Sequence, residues 1–373
     1  MRLEFDVAIV GAGAVGLAVA ALLAHRGRSV VILEHEAGIA RGTTSRNSQV
    51  LHAGLYYPED SWKARLCVAG RARLVERCIR LGIPYRLLGK LVVAVAAAEI
   101  PALERIHALG TANGAPGLEL LEAIAVRRLE PALRSRAALH SPATGIIDAH
   151  ALCVSWLAEA EAHGAVVALR HEVVALEHER TGWRVGVLEP DGARVDLCCA
   201  AVVNAAGLGS DRIAALAGID VDACGWRQHP CKGDWFAVAP GAPLRVERLV
   251  YPVPSGAGLG VHVTLDLGGR MRLGPDAEYV DAIRYDVDAA KATAFARAAG
   301  RYLPGLRAEW LTPDQAGIRP KLAAPGEVFR DFVVEEGSAH GRPGLVNLIG
   351  IESPGLTAAP AIAERVVELL SGL

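Results

Sequence analysis

The segment from Phe5 to Glu34 constrains this chain more than any other. FDVAIV, Phe5 to Val10, is an apolar strand, and Gly11-Ala12-Gly13-Ala14-Val15-Gly16 follows as a glycine turn. An alanine-rich helix runs to His25 and stops near Gly27. Ser29 to Leu33 forms a second strand, and Glu34 stands at its end. In such a unit the first glycine makes the tight turn, the second lets the backbone approach a pyrophosphate, and the third lets the helix pack on the strand. Those roles fall to Gly11, Gly13 and Gly16, with Ala14 and Val15 opening the helix. The helix N-terminus offers unpaired N–H groups and a positive dipole end to phosphate. Glu34, 18 residues after Gly16, is placed to accept hydrogen bonds from ribose hydroxyls, and its charge disfavours a ribose 2′-phosphate. The unit reads as a site for the ADP half of a dinucleotide other than NADP. By itself it does not choose between NAD and FAD.

A chain of 373 residues holds two domains or one large elaborated one. Hydrophobic residues make up 52%, much of it alanine. The mean hydropathy is therefore positive without any apolar run of about 18 residues that would span a membrane. The most apolar stretch, Leu91 to Ala98, is strand-length and follows Lys90. Met1-Arg2-Leu3-Glu4-Phe5-Asp6 carries acids and leads straight into the first strand, so no signal peptide is read there. A net charge of −2 with no basic block argues against a nucleic-acid partner. Cys67, Cys78, Cys153, Cys198, Cys199, Cys224 and Cys231 include no CxxC and no His/Cys ligand spacing. That argues against a disulfide framework, a metal site or an iron–sulfur cluster. They read as small buried hydrophobes of a cytoplasmic protein.

Nucleotide-binding signals lie at both ends and in the middle of the chain. The expected organisation is one discontinuous domain, residues 1–84, 144–222 and 318–373, with another formed by 85–143 and 223–317. After the polar loop Arg41 to Ser48, helical spacing runs from Ser61 to Leu81 and ends at Gly82-Ile83-Pro84. Tyr85 to Ala97 reads as strand, turn, strand, and Ile100 to Gly110 as a helix. Asp148 caps a helix from Ala149 to His163, with Gly164 behind it. Strands follow at Val166 to Leu169, Glu172 to Glu179, Trp183 to Leu188 and Arg194 to Leu197, two of them joined by the turn Pro190-Asp191-Gly192. Ala200 to Asn204 is a separate, buried strand. It ends in Ala205-Ala206-Gly207, a small-residue turn that permits close approach to a ligand. Pro230 to Leu273 reads as antiparallel strands and Asp288 to Tyr302 as a helix. The tail is strand, Ile351-Glu352-Ser353-Pro354-Gly355 turn, and a helix from Leu356 to Leu370.

Seven short segments, in order, carry a resemblance. They are TSRNSQVLHAGLYY (Thr44 to Tyr57), KGDWF (Lys232 to Phe236), YPVP (Tyr251 to Pro254), LGVHVT (Leu259 to Thr264), Gly274-Pro275, IRPKL (Ile318 to Leu322) and GIESPGLTA (Gly350 to Ala358). Together they resemble the FAD-dependent family of D-amino-acid oxidase, glycine oxidase and glycerol-3-phosphate dehydrogenase, and within it most of all the L-2-hydroxyglutarate dehydrogenases/oxidases. The resemblance implies a Rossmann-like α/β FAD-binding domain of glutathione-reductase type and a discontinuous α+β substrate domain built on an antiparallel sheet. It also implies non-covalent FAD. A second helix N-terminus at the far end of the chain agrees, because a reduced flavin carries negative charge near N1 and O2 that backbone N–H groups stabilise. That role is assigned to Gly350, Gly355 and Leu356, and Glu352, Ser353, Pro354 and Thr357 of the same segment are placed beside the cofactor. Thr44, Ser45, Arg46, Ser48, His52, Ala53 and Gly54 are placed beside the flavin or pyrophosphate. Val173 is placed at the adenine end, and Ala205, Ala206 and Gly207 along the cofactor.

The implied reaction moves a hydride from a carbon bearing a hydroxyl to the flavin, while the hydroxyl proton goes to a base. The site then needs a base near neutral pKa and cations for substrate carboxylates. His262 is the first choice for the base, with His52 its rival. Arg319 is the first carboxylate anchor, since its planar fork grips bidentately. Lys321 and Lys232 come second, and Arg319 and Lys321 face one pocket across Pro320 if the segment is extended. Tyr56, Tyr57 and Tyr251 line the substrate pocket, although adjacent tyrosines on a strand would point to opposite faces. The expected partner is a small 2-hydroxy acid, L-2-hydroxyglutarate first. The electron acceptor stays open between oxygen, a quinone and a carrier protein, with peripheral membrane contact allowed. Oxidation of an amino acid or amine, as by glycine or sarcosine oxidase, is the alternative.

Overall fold

The structure is a computed structural model that describes residues 4–254 and 260–372. Leu259, which opens the LGVHVT segment, lies outside the described residues, as do the first three residues and Leu373. Two large sheets and one small one organise the chain. In the first, strands Val166–Leu169, Val30–Glu34, Phe5–Val10, the second half of Arg194–Asn204, and Leu345–Ile349 run parallel in that order. Val333–Glu336 closes the edge antiparallel. These strands are apolar runs because both faces of a parallel sheet are covered, and Ile9, Ile32, Val203 and Val346 are fully buried. Helices Ala14–His25, Trp62–Leu81, Ala149–Ala162 and Gly355–Leu369 supply much of the core over one face.

Capping fixes the helix starts as the sequence predicts. The Ser61 hydroxyl accepts from Ala64 N at 3.2 Å, and the Asp148 carboxylate accepts from Ala151 N at 2.9 Å. Gly82, at φ +66°, closes the Trp62–Leu81 helix in the left-handed conformation. Two elements differ from expectation. Arg194–Leu197 and Ala200–Asn204 are one eleven-residue strand. No glycine or proline interrupts it at Cys198-Cys199. Its first half pairs with the hairpin Glu172–Glu179/Gly182–Leu188, while Cys199 pairs with Trp183 on one side and Phe5 on the other. The helix expected over Asp288 to Tyr302 is shorter. A 3-10 turn, Ala289–Lys291, precedes Ala292–Gly300, with Asp288 accepting from Ala290 N at 2.9 Å.

The second sheet has nine strands and is antiparallel throughout its described pairs except where Leu249–Pro252 runs parallel to Lys90–Ala94. Its longest pair is His229–Val238 against Leu311–Lys321. The latter strand crosses residue 318 unbroken and carries Arg319 and Lys321. A small sheet of Val50–Leu51, Gly145–Ile147 and Tyr85–Arg86 joins segments that lead from one large sheet to the other. The fold is thus mixed α/β with a Rossmann-like sheet and a second sheet, the class expected from the sequence.

Candidate active site

Residues of both large sheets line one cavity of about 1660 Å³. Its first end is the glycine turn. Gly11 sits at φ +106°, and a Cβ there would lie 2.6 Å from the Ala205 carbonyl oxygen, so the Asn204-Ala205-Ala206-Gly207 turn presses against it. A Cβ on Gly16 would strike the Gly11 carbonyl, which is the close helix–strand packing expected of the third glycine. Thr44 closes over the turn: its hydroxyl accepts from Ala14 N at 3.0 Å and stands 3.3 Å from where a Gly13 side chain would begin. Glu34 lines the cavity but also fastens the turn. One carboxylate oxygen accepts from Ala12 N at 2.7 Å and the other from Glu36 N at 2.8 Å. The oxygen that accepts from Ala12 keeps a second lone pair for a ribose hydroxyl, while the other also lies 3.1 Å from His35 Nδ1. Val173, Ala205, Ala206 and Gly207 line the same end, as do Ala14 and Val15.

The far end is the turn before the C-terminal helix. Gly350 adopts φ +72°, with Leu322 packed where a Cβ would go. Glu352, Ser353, Pro354, Gly355 and Leu356 line the cavity at the N-terminus of Gly355–Leu369. Glu352 is held by two cations, Lys63 at 2.9 Å and Lys321 at 3.3 Å. Burial favours its neutral form, but Lys63, Lys321 and Arg319 outweigh burial and hold the carboxyl below its usual range. Thr357 is buried behind the wall, where its hydroxyl accepts from His52 N at 3.0 Å. Ser353 Oγ and His52 Nε2 are 3.1 Å apart. Thr44, Ser45, Arg46, Ser48 and His52 line the cavity, whereas Ala53 and Gly54 support the loop from behind. The Arg46 guanidinium stacks 3.8 Å from the centre of the Tyr285 ring.

Between the ends stands a wall of His52, Tyr56, Tyr57, Tyr251 and His262. The His262 imidazole is buried and stacked on Tyr251, ring centres 3.5 Å apart and planes 12° from parallel. Burial, then Lys90, then His262 lower the His52 pKa well below the ordinary histidine value. Tyr56 and Tyr57 line one cavity, contrary to the opposite faces a strand would give them. Their segment is a loop after Val50–Leu51, freed from strand alternation. Arg319 and Lys321 both reach the cavity. Arg319 donates to the main-chain carbonyls of Cys231, Lys232 and Asp276 at 3.4, 3.3 and 3.0 Å. Lys321 is committed to Glu352. Lys232 is outside the cavity lining. It pairs with Asp234 at 3.5 Å and donates to the Asp286 carbonyl.

Three residues escaped the sequence reading. Lys63 lies on a helix whose polar positions read as a solvated face. Tyr285 lies in a stretch given no element. Lys90 was visible as the one charge heading the apolar run Leu91 to Ala98, a signal that a single buried cation gives in any strand. Among the described residues no cluster of His, Cys, Asp and Glu could hold a metal ion, and no helix is long and apolar enough to cross a membrane.

A dinucleotide fits this cavity. It exceeds the roughly 300–1,000 Å³ of pockets for single small ligands. Glycines stand where side chains would collide, and a helix N-terminus opens at each end. Fold and cavity fit the class of dinucleotide-dependent oxidoreductases, with cavity-lining turns contributed by both ends of the chain. Comparison with known proteins sharpens the class. The model of the FAD dependent oxidoreductase family, DAO, matches residues 6–369. The mitochondrial L-2-hydroxyglutarate dehydrogenase of Arabidopsis thaliana is 37% identical over 97% of this chain and 82% of its own length. Its Homo sapiens counterpart is 32% identical over 98% and 88%. The FAD-bound, dithionite-reduced L-α-glycerophosphate oxidase from Mycoplasma pneumoniae is 26% identical and superposes with a TM-score of 0.88, covering 100% of this chain and 95% of that one. The chain belongs to the FAD dependent oxidoreductase family; it is an enzyme, and its cofactor is FAD.

Proposed function

We propose that this enzyme oxidises the CH–OH group of a small L-2-hydroxy acid, with L-2-hydroxyglutarate going to 2-oxoglutarate as the first-choice reaction. Arg319 carries the proposal. It is a cavity-lining cation whose hydrogen bonds go to main-chain carbonyls and the Cys231 sulfur; it helps hold Glu352 ionised from a distance, and no carboxylate among the described residues pairs with it directly, so its fork can take a substrate carboxylate. The names of the relatives at 37% and 32% identity support the substrate. An amine substrate would have to react as the neutral amine and gains less from such a cation.

FAD, bound without a covalent link, would supply the hydride acceptor. The Gly11–Gly16 turn, Thr44, Glu34, Val173 and the Ala205–Gly207 turn would hold its ADP half, and Arg46, His52 and the Gly350–Thr357 segment would hold its ring. Arg319 clamps the carboxylate and fixes the hydroxyl-bearing carbon, with Lys321 holding Glu352 alongside. His262, oriented by the Tyr251 stack, takes the hydroxyl proton, and His52 is the rival for that step. Tyr56, Tyr57 and Tyr251 exclude water, which strengthens both contacts. Residues 1–84, 144–222 and 318–373 form the cofactor unit, and 85–143 with 223–317 the substrate unit. The electrons leave to oxygen, a quinone or a carrier protein, from a cytoplasmic enzyme free to touch a membrane surface.

Anaerobic mixing tests the proposal. L-2-hydroxyglutarate should bleach the flavin, and D-2-hydroxyglutarate, L-lactate, glycine, sarcosine and glycerol 3-phosphate should not. Bleaching by an amine alone would refute it. Reoxidation by oxygen, then by a soluble quinone, sorts the acceptors. Mass spectrometry of the denatured protein should show the bare polypeptide mass.

A further inference from the structure

The chain has five lysines. Four end on carboxylates: Lys63 and Lys321 on Glu352, Lys232 on Asp234, and Lys291 on Asp234, Asp276 and Glu278. Lys90 is the fifth, and it has no exposed surface. It heads the strand Lys90–Ala94, whose other members are buried and apolar. Its Nζ has no hydrogen-bond partner among the described residues. It sits 4.3 Å from the centre of the Tyr251 ring and 5.3 Å from that of Tyr56. Both tyrosines line the cavity, and Tyr251 carries the His262 imidazole stacked against it. A buried ammonium with no counter-ion is costly, and an apolar residue would fill this place at lower cost. Retaining the amine makes sense if its charge acts on a neighbour, and water does little to damp that action here.

The titratable groups facing it are few. His52 and Tyr56 come from the loop after Val50–Leu51, Cys67 from the Trp62–Leu81 helix, Tyr251 from its own strand, and His262 from the segment before Val263. Burial pushes the Tyr56 and Tyr251 hydroxyls up, and pushes the Cys67 thiol up to about 12, so all three stay protonated near neutrality. The imidazoles remain as the groups on this wall able to take up a proton.

We infer that Lys90 is a positioning residue for the two histidines: its buried ammonium, set against the Tyr251 ring that carries His262 and on the wall that holds His52, opposes a further positive charge there and leaves an imidazole able to accept a proton. The direction of the shifts agrees. Burial brings the Lys90 amine down to about 7, while burial, Lys90 and His262 together place His52 well below its ordinary value. The catalytic use of this arrangement rests on the proposal that His262, or its rival His52, is the base.

The test is Lys90→Met, which keeps length and removes charge, in the FAD-loaded protein. Ring carbons of ¹³C-labelled histidine are titrated by NMR, with His52 and His262 assigned through H52Q and H262Q. In the variant at least one of the two should titrate higher, by about one to three pH units for a buried charge at this range. The acid limb of anaerobic flavin reduction should rise with it. Unmoved histidines would overturn the inference. If the histidines move and the acid limb does not, Lys90 keeps its role and the assignment of the base falls. A measurement on the unsubstituted protein guards against a variant that fails to fold. With ¹³C-labelled lysine, one of five resonances should titrate near pH 7, and a Lys90 titrating in the ordinary lysine range would overturn the inference equally.

Discussion

Lys90 also weighs on folding, with a sign that pH reveals. Its pKa is about 7 in the folded protein, against the ordinary lysine value near 10.4 in the unfolded chain. Between those values the unfolded chain holds the extra proton, so the Lys90 contribution to stability rises with pH. Below about 7 both states are protonated and the penalty is complete. Lys90→Met should therefore stabilise the protein most below pH 7. The gain should shrink steadily towards pH 10, as read by denaturant midpoints of the two proteins at pH 6.5, 8 and 9.5. His262→Ala should slow anaerobic flavin reduction by about 10²–10⁴, the usual contribution of a general base, with a smaller effect on substrate affinity. Arg319→Ala should raise KM for a dicarboxylate roughly 10- to 100-fold, since a charge-assisted contact contributes about 1.5–3 kcal/mol, and should leave the flavin content of the purified protein unchanged. Gly11, Thr44, His262 and Arg319 were expected at a site from the sequence, and all four line the cavity. Lys63, Lys90 and Tyr285 were not expected. A lysine in a sequence is presumed solvated, and only tertiary packing shows that Lys63 meets Glu352 and that Lys90 meets two tyrosine rings and no carboxylate.

At the level of elements, local chemistry decides where helices begin and end, and distant chemistry decides how strands pair. Ser61, Asp148, Gly82 and Gly164 act within one turn of their own helices, so those boundaries follow from the sequence. The strand Arg194–Asn204 is different. Its halves find partners on Gly182–Leu188, Phe5–Val10 and Leu345–Ile349, and no local signal at Cys198-Cys199 announces the exchange. The Tyr56–Tyr57 pair departs from strand alternation for a similar reason, because its loop is shaped by the wall around it. The glycine turn gives the sharpest prediction here. Gly11→Ala must accommodate a positive φ and a contact of 2.6 Å to the Ala205 carbonyl. It should yield protein with little bound flavin, measured as the ratio of visible to ultraviolet absorbance after purification. A variant that retains full flavin would show that the turn can relax by moving the Ala205–Gly207 segment.

For the whole molecule, FAD held at the proposed site would bridge segments that lie hundreds of residues apart, so its binding energy would become folding energy. Stripping FAD should lower the melting temperature, and adding it back should restore it in a concentration-dependent way. At a thousandfold excess over Kd the linkage amounts to about 4 kcal/mol. The meeting of the two chain ends at one cavity could be anticipated, because the two nucleotide signals stand there in Gly11–Gly16 and Ile351–Leu356. The spatial relation of the sheets could not, because it depends on pairings such as His229–Val238 with Leu311–Lys321.

The small sheet of Val50–Leu51, Tyr85–Arg86 and Gly145–Ile147 has a mechanical consequence. The chain passes between the large sheets four times: from Glu34 to Lys90, from Ser141 to Val166, from Asn204 to His229 and from Lys321 to Val333. The first two passages are stapled to each other by that sheet. A clamshell motion would have to bend four tethers at once, two of them cross-braced. The two large sheets are therefore tied by more than one hinge, and Val328, fully exposed beside Phe329 among the residues that line the cavity, lies on the last of the four passages.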